Sequence, residues 1–187
     1  MSYMKILYID TASSNLYVAI IVDGEIISHR EASKLNHSVM LMPTVDRILK
    51  ENGYKLDDFD YYSCNVGPGS FTGIRIGVTT VNAFGYANSK KVIPITTFLP
   101  YAYDNRDKHI FALNAKHGNF YTMSIIDNVY EYGVKTESDL SDKDVFVIDP
   151  STVPEKGLFE CLVSSIGEAT DMIAPFYLRE SEAERNC

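Results

Sequence analysis

The stretch Asn65-Val66-Gly67-Pro68-Gly69-Ser70-Phe71-Thr72-Gly73-Ile74-Arg75-Ile76-Gly77 joins a strand to a helix through a glycine-rich turn, and the fold can be built outward from it. Gly67 and Gly69 can take positive φ and turn the backbone sharply. Ser70 can cap the helix that follows, and a helix N-terminus behind such a turn can also hold an anion. No lysine follows the glycines, so this is not a Walker phosphate loop. Nor does the segment follow the first strand, as a dinucleotide fingerprint would. A tight structural turn and a place of ligand approach both remain open.

Upstream, Tyr61–Val66 reads as a strand. Downstream, about Phe71–Asn88 reads as a helix and Val92–Ile95 as the next strand. Five of the chain's 11 glycines lie between Gly67 and Gly85. Gly73, Gly77, Val81 and Gly85 fall on one helix face. Each interior glycine costs ~1 kcal/mol relative to alanine, so the stripe implies close approach of something. That something is either the chain's own sheet and first helix or a partner's helix.

Further out, Lys5–Asp10, Leu16–Val22 and Glu25–Arg30 read as three strands, with Asp23-Gly24 a hairpin turn between the last two. A helix over Ser38–Asn52 follows. Leu41, Val45, Ile48 and Leu49 form its buried face, Asn36 or Ser38 caps its start, and Asn52-Gly53 ends it. Pro43 lies in its first turns, where it removes a backbone donor. The order β-β-β-α-β-α-β is that of a ribonuclease-H-like unit with a mixed five-stranded sheet. The second half repeats part of it. His109–Asn114, Phe120–Asp127, Val129–Val134 and Val145–Asp149 read as strands and Leu158–Ile166 as a short helix. Only the short polar run Lys135–Lys143 stands where a long helix is due. The expected division is residues 1–96 and 97–187, with a helix and a loop near Thr96–Asp107.

The 187 residues carry a net charge of −8. Residues 1–95 hold 9 basic and 9 acidic residues, and residues 96–187 hold 8 and 16, so the whole excess lies in the second half. Without clustered Lys or Arg the chain is a poor nucleic-acid binder by itself. No apolar run approaches the ~20 residues of a membrane helix, and the N-terminus shows no signal-peptide pattern. Cys64, Cys161 and Cys187, widely spaced and odd in number, point to small buried or terminal thiols in a reducing compartment. The histidines His29, His37, His109 and His117 show no metal-ligand spacing. Asp10, with Thr11 and Ser13, sits at a strand end. There a carboxylate can hold Mg²⁺ through water or satisfy local backbone donors.

Gly67–Gly77 resembles a segment specific to the TsaB (YeaZ) family. Ile6-Leu7-Tyr8-Ile9-Asp10-Thr11-Ala12-Ser13 resembles the family's opening. His37 with Leu41, Met42 and Pro43 resembles its H-x-x-x-L-x-P helix. Ile93-Pro94-Ile95 follows the glycine helix as in the family, and Pro175-Phe176-Tyr177-Leu178-Arg179 resembles its closing P-x-Y-L-R. Asn114-Ala115-Lys116 stands where members carry D-A-R, so Asn replaces Asp and Lys replaces Arg.

The resemblance implies an α/β, actin-like (ASKHA) fold of two ribonuclease-H-like lobes, the second reduced. It also implies a cytoplasmic, non-catalytic partner of TsaD. TsaD transfers the threonylcarbamoyl group from its adenylate to adenosine 37 (t6A37) of tRNAs reading codons that begin with A. TsaD's metal-binding H-x-x-x-H is absent here, where Thr97-Phe98-Leu99-Pro100-Tyr101 stand, so no metal centre is expected. TsaE, an ATPase, is expected to join the assembly, with tRNA met only through the complex. The implied partner surface, shared with a homodimer, is His37, Met40, Leu41, Phe71, Thr72, Gly73, Ile74, Arg75, Gly77, Val81 and Gly85. A degenerate nucleotide site would comprise Asp10, Thr11, Gly67, Gly69 and Ser70. ATP or ADP near the interface is allowed, and no cofactor is required. The alternative is a self-standing ATPase or kinase of the actin-like class. A peptidase finds no nucleophile–base pair.

Overall fold

A computed structural model describes residues 4–32 and 36–179; Cys187 lies outside the described residues. The first sheet holds β1 (Lys5–Asp10), β2 (Asn15–Val22), β3 (Glu25–Ala32), β4 (Tyr61–Gly67) and β5 (Lys91–Thr96) in the order β3-β2-β1-β4-β5. β1 pairs antiparallel with β2 and parallel with β4. Helices α1 (His37–Glu51) and α2 (Phe71–Asn88) interrupt the strands, and α3 (Leu99–Asp104) leads out of the sheet. The second sheet, β8-β7-β6-β9, comprises β6 (Ile110–Asn114), β7 (Asn119–Ile126), β8 (Val129–Thr136) and the two-residue β9 (Phe146–Val147). It repeats the order of the first four strands. The four-residue α4 (Glu137–Leu140) stands where a crossover helix would lie, and α5 (Glu155–Ser164) closes the set.

Local chemistry explains the turns. Asp23 and Gly24 both take positive φ, as the β2–β3 hairpin requires, and Asp127 and Asn128 do the same between β7 and β8. Asn36 occupies the cap position of α1 without a side-chain cap bond. Ser70 caps α2, its hydroxyl accepting from the Gly73 amide at 3.2 Å.

β1 and β2 read as near-continuous apolar runs because the first sheet is covered on both faces. Leu7, Ile9, Val18 and Ile20 pack against α1 and α2. Ile6, Tyr8, Tyr17 and Ile21 pack with Leu158, Cys161 and Leu162 of α5. A third cluster joins Phe98, Tyr101 and Ala102 to Phe111, Leu113 and Met123 of the second sheet. Each fully buried large side chain is worth ~1.5–3 kcal/mol.

Three expectations change. First, the boundary at residue 96 does not divide the packing: α5 covers the first sheet, and Thr170 bridges Val92. Second, α5 begins three residues before the expected Leu158, and its Gly157 permits close crossing of α3. A Cβ there would lie 1.8 Å from the Pro100 carbonyl oxygen. Third, the glycine stripe faces inward. A Cβ on Gly73 would lie 1.9 Å from the Thr11 carbonyl oxygen, one on Gly77 2.6 Å from Thr11 Oγ1, and one on Gly85 2.7 Å from Val92 Cγ2. Of the two readings of the stripe, the chain's own sheet is the neighbour. His37, Leu41, Ile74 and Val81 are likewise buried. The implied partner surface is therefore reduced to Met40, Phe71, Thr72 and Arg75, which keep solvent exposure.

Candidate functional site

The C-terminal ends of β1 and β4 and the N-terminus of α2 form one wall of a cleft of about 970 Å³. The β6–β7 turn and the run Phe176–Arg179 also line the cleft. This is the place that strand-end geometry reserves for ligands in open α/β sheets.

At its floor, Asp10 accepts from the Ala12 amide (2.8 Å) through Oδ1 and from Asn65 Nδ2 (2.9 Å) through Oδ2. Asn65 Oδ1 accepts from the Gly67 amide at 2.8 Å, and the Thr97 hydroxyl lies 2.9 Å from it and 2.6 Å from the Pro68 carbonyl. One carboxylate thus anchors a polar network joining β1, β4, the glycine turn and the end of β5. Burial pushes the Asp10 carboxyl above its ordinary range, and its bonds to Asn65 and Ala12 only partly offset this. Burial, with Asp10's charge second, also raises the Tyr8 phenol and the Cys64 thiol. Burial likewise raises Cys161. Both thiols behave as small core groups, not nucleophiles.

The expected site residues divide. Asp10, Gly69 and Ser70 line the cleft, but Thr11 and Gly67 do not. Thr11 is fully buried and donates to the Gly73 carbonyl at 2.7 Å. Gly67 has φ +111°, and a Cβ on it would lie 2.6 Å from the Phe176 carbonyl oxygen. Gly69, expected to share the positive φ, does not. Glycine is needed there because a Cβ would lie 2.4 Å from the Ala12 carbonyl oxygen.

The cleft's rim went unread in the sequence. Arg75 lies over the Phe71 ring at 4.0 Å and donates from Nε to Tyr177 Oη at 2.9 Å, while Phe71 and Tyr177 stack at 4.4 Å. These contacts dock the closing Pro175–Arg179 segment onto α2. Lys116 and His117 enter from the β6–β7 turn, where both take positive φ. Asn114 Oδ1 accepts from the Lys116 amide at 2.7 Å and shapes that turn. Asn65 was the available signal for the network: a lone amide in an apolar strand demands buried partners. Among the described residues lining the cleft, Asp10 is the single carboxylate, against Arg75, Lys116 and Arg179. The arrangement offers a hydrogen-bonded frame with a cationic rim.

A sequence model of the family TsaD, tRNA N6-adenosine threonylcarbamoyltransferase, matches residues 25–174. The chain is 32% identical over 123 residues to the tRNA threonylcarbamoyladenosine biosynthesis protein TsaB of Escherichia coli, covering 63% of this chain and 53% of that protein. It is 30% identical over 140 residues to TsaB of Buchnera aphidicola subsp. Schizaphis graminum, covering 71% and 67%. Matches to the E. coli and Haemophilus influenzae proteins span about half of those relatives' length. Among solved structures, YeaZ from Pseudomonas aeruginosa superposes with a TM-score of 0.71 at 21% identity, covering 94% of this chain and 100% of that chain. A second P. aeruginosa structure, described as similar to peptidase YEAZ, gives 0.76 at 22% identity, with the same coverage. The α/β, actin-like fold that the family resemblance implies, and with which the strand order agrees, is therefore the fold observed.

Proposed function

The chain belongs to the TsaB (YeaZ) family, and from that premise we propose that it is the non-catalytic partner of a TsaD transferase. The reaction served is formation of the threonylcarbamoyl group on adenosine 37 of tRNAs reading codons that begin with A. The observation that carries the non-catalytic part is the state of Asp10. A hydrated Mg²⁺ with its nucleotide is held through one or two ionised carboxylates. Here both Asp10 oxygens accept internal bonds and burial disfavours the charge.

The partner surface in this reading is the outward side of α1 and α2, where Val39, Met42 and Tyr86 join Met40, Phe71, Thr72 and Arg75. Val39, Met42 and Tyr86 there are 67%, 50% and 88% exposed. Apolar side chains so exposed suit an interface, and Met adapts to a partner's shape. The same surface would serve a homodimer when TsaD is lacking. TsaE joins the complex, tRNA is held mainly by TsaD, and the site of action is the cytoplasm.

Co-expression with TsaD from the same cell followed by size-exclusion chromatography tests this. A shared peak is expected, lost in Met42→Glu/Tyr86→Glu while the variant's unfolding temperature is kept. Separate elution of the wild-type pair would overturn the reading. The cationic rim of the cleft favours one second reading, an independent ATPase or kinase. Micromolar Mg-ATP binding with turnover by the isolated protein would establish that instead.

A further inference from the structure

β8 is an edge strand of eight residues, Val129–Thr136, bonded on one side to β7. The two-residue Asp127-Asn128 turn makes Ile126 and Val129 a hydrogen-bonded pair. The alternation then sends the backbone groups of Val129, Glu131, Gly133 and Lys135 toward β7. Those of Tyr130, Tyr132 and Val134 point to the open edge. Among the described residues, no turn or loop bonds to these three backbones.

An open edge is a template for another strand, and proteins commonly blunt it with lysines, proline, bulges or a covering element. β8 instead carries one charge of each sign, placed symmetrically about a glycine: Glu131, Gly133, Lys135. Tyr132 packs into the core cluster of the second sheet, so by strand alternation Glu131 and Lys135 stand on the opposite, uncovered face. Neither forms an ion pair among the described residues.

Consider a second copy laid antiparallel against this edge, with a two-fold axis through Gly133. Tyr132 then meets Val134, and the outward backbone groups of both residues pair. Glu131 meets Lys135 twice, in the closer, non-hydrogen-bonded positions where cross-strand pairs interact most strongly. Only glycine stands at the axis. A shift by two residues in one direction sets Glu131 against Glu137, and in the other sets Val129 against Lys135. The other eight-residue edge strand, β3, lacks this property: its Glu31 is already committed to Arg47 and His29 of the same chain.

We propose that β8 self-associates through this register, joining two copies edge to edge into one eight-stranded sheet. This contact is separate from the helical surface assigned to TsaD and rests on different residues.

Charge exchange tests it. Glu131→Lys places lysine against lysine across the axis, and Lys135→Glu places glutamate against glutamate. The exchanges are carried in Met42→Glu/Tyr86→Glu protein, which lacks the helical homodimer contact. Sedimentation equilibrium should show its dimer weakened at least tenfold in each single variant. An equimolar mixture of the two should dimerise again, as should Glu131→Lys/Lys135→Glu. Val134→Pro, which removes an outward donor and leaves the β7 ladder intact, should also give monomer. Circular dichroism confirms that each variant is folded. Met42→Glu/Tyr86→Glu protein that stays monomeric near 1 mM would overturn the proposal. So would singles that dimerise as their Met42→Glu/Tyr86→Glu parent does, or a mixture that gains nothing over its components.

Discussion

Gly77→Ala separates the two readings of the α2 glycine stripe by the sign of its effect. A helix face awaiting a partner would gain ~1 kcal/mol from alanine's better propensity, and the isolated protein would become more stable. The packing observed requires the reverse. The new Cβ would lie 2.6 Å from Thr11 Oγ1. Thr11 is fully buried, and its hydroxyl donates to the Gly73 carbonyl at 2.7 Å. Rotating Thr11 away breaks that bond, a loss of ~0.5–1.5 kcal/mol. Holding it forces α2 off the sheet, an overpacking cost of ~1–3 kcal/mol. Less the propensity gain, the net loss is up to about 2 kcal/mol. At ~2–4 °C per kcal/mol for a protein of this size, the midpoint should fall by up to about 8 °C, where an open helix face would raise it. Thermal unfolding followed by circular dichroism on the isolated protein measures it. Thr72→Ala, at an exposed position of the same helix, is the control and should leave the midpoint within a degree or two. A Gly77→Ala midpoint above wild type by the ~2–4 °C that the propensity gain alone would give would refute the inward-facing stripe.

Other perturbations probe the remaining joints. Because its folded carboxyl titrates above the ordinary range, Asp10 holds more protons folded than unfolded within that window. Wild-type stability relative to Asp10→Asn should therefore fall as pH rises from the usual carboxylate range through the raised value. Urea titrations at several pH values check this, and a difference that rises with pH would contradict it. Arg75→Ala removes the cation over Phe71 and the donor to Tyr177. It should cost about 1–2 kcal/mol and speed proteolysis near Tyr177, read by mass spectrometry. A fragment ending at residue 96 lacks α5 and leaves Ile6, Tyr8 and Ile21 uncovered. It should aggregate or bind a hydrophobic dye where the full chain does not, and a well-dispersed amide spectrum from it would contradict the packing described.

The first sheet was legible because its signals are local. Asp23-Gly24 sets a hairpin, α1 carries a helical period, and α2 is bounded by a serine cap and a polar end. Its observed span, Phe71–Asn88, is the expected one. What stayed hidden depends on contacts distant in sequence. A glycine stripe states that something comes close but not what, since Thr11 is more than sixty positions away. Gly157 gave no signal because one glycine in a short helix has no pattern, yet it is where two helices, α3 and α5, cross closely. The cleft was half visible. Asp10 and Ser70 carry their own chemistry in the sequence, whereas Thr97 and Tyr177 acquire theirs only when the chain folds back on them.

The most direct measurement is the t6A content of tRNA, read by nucleoside mass spectrometry after incubation with TsaD, TsaE and the threonylcarbamoyl adenylate, with and without this chain. Modification should depend on its presence, survive Asp10→Asn, and fall away with Met42→Glu/Tyr86→Glu. Full modification in its absence, or loss of activity in Asp10→Asn while that variant still co-elutes with TsaD, would contradict a non-catalytic partner role.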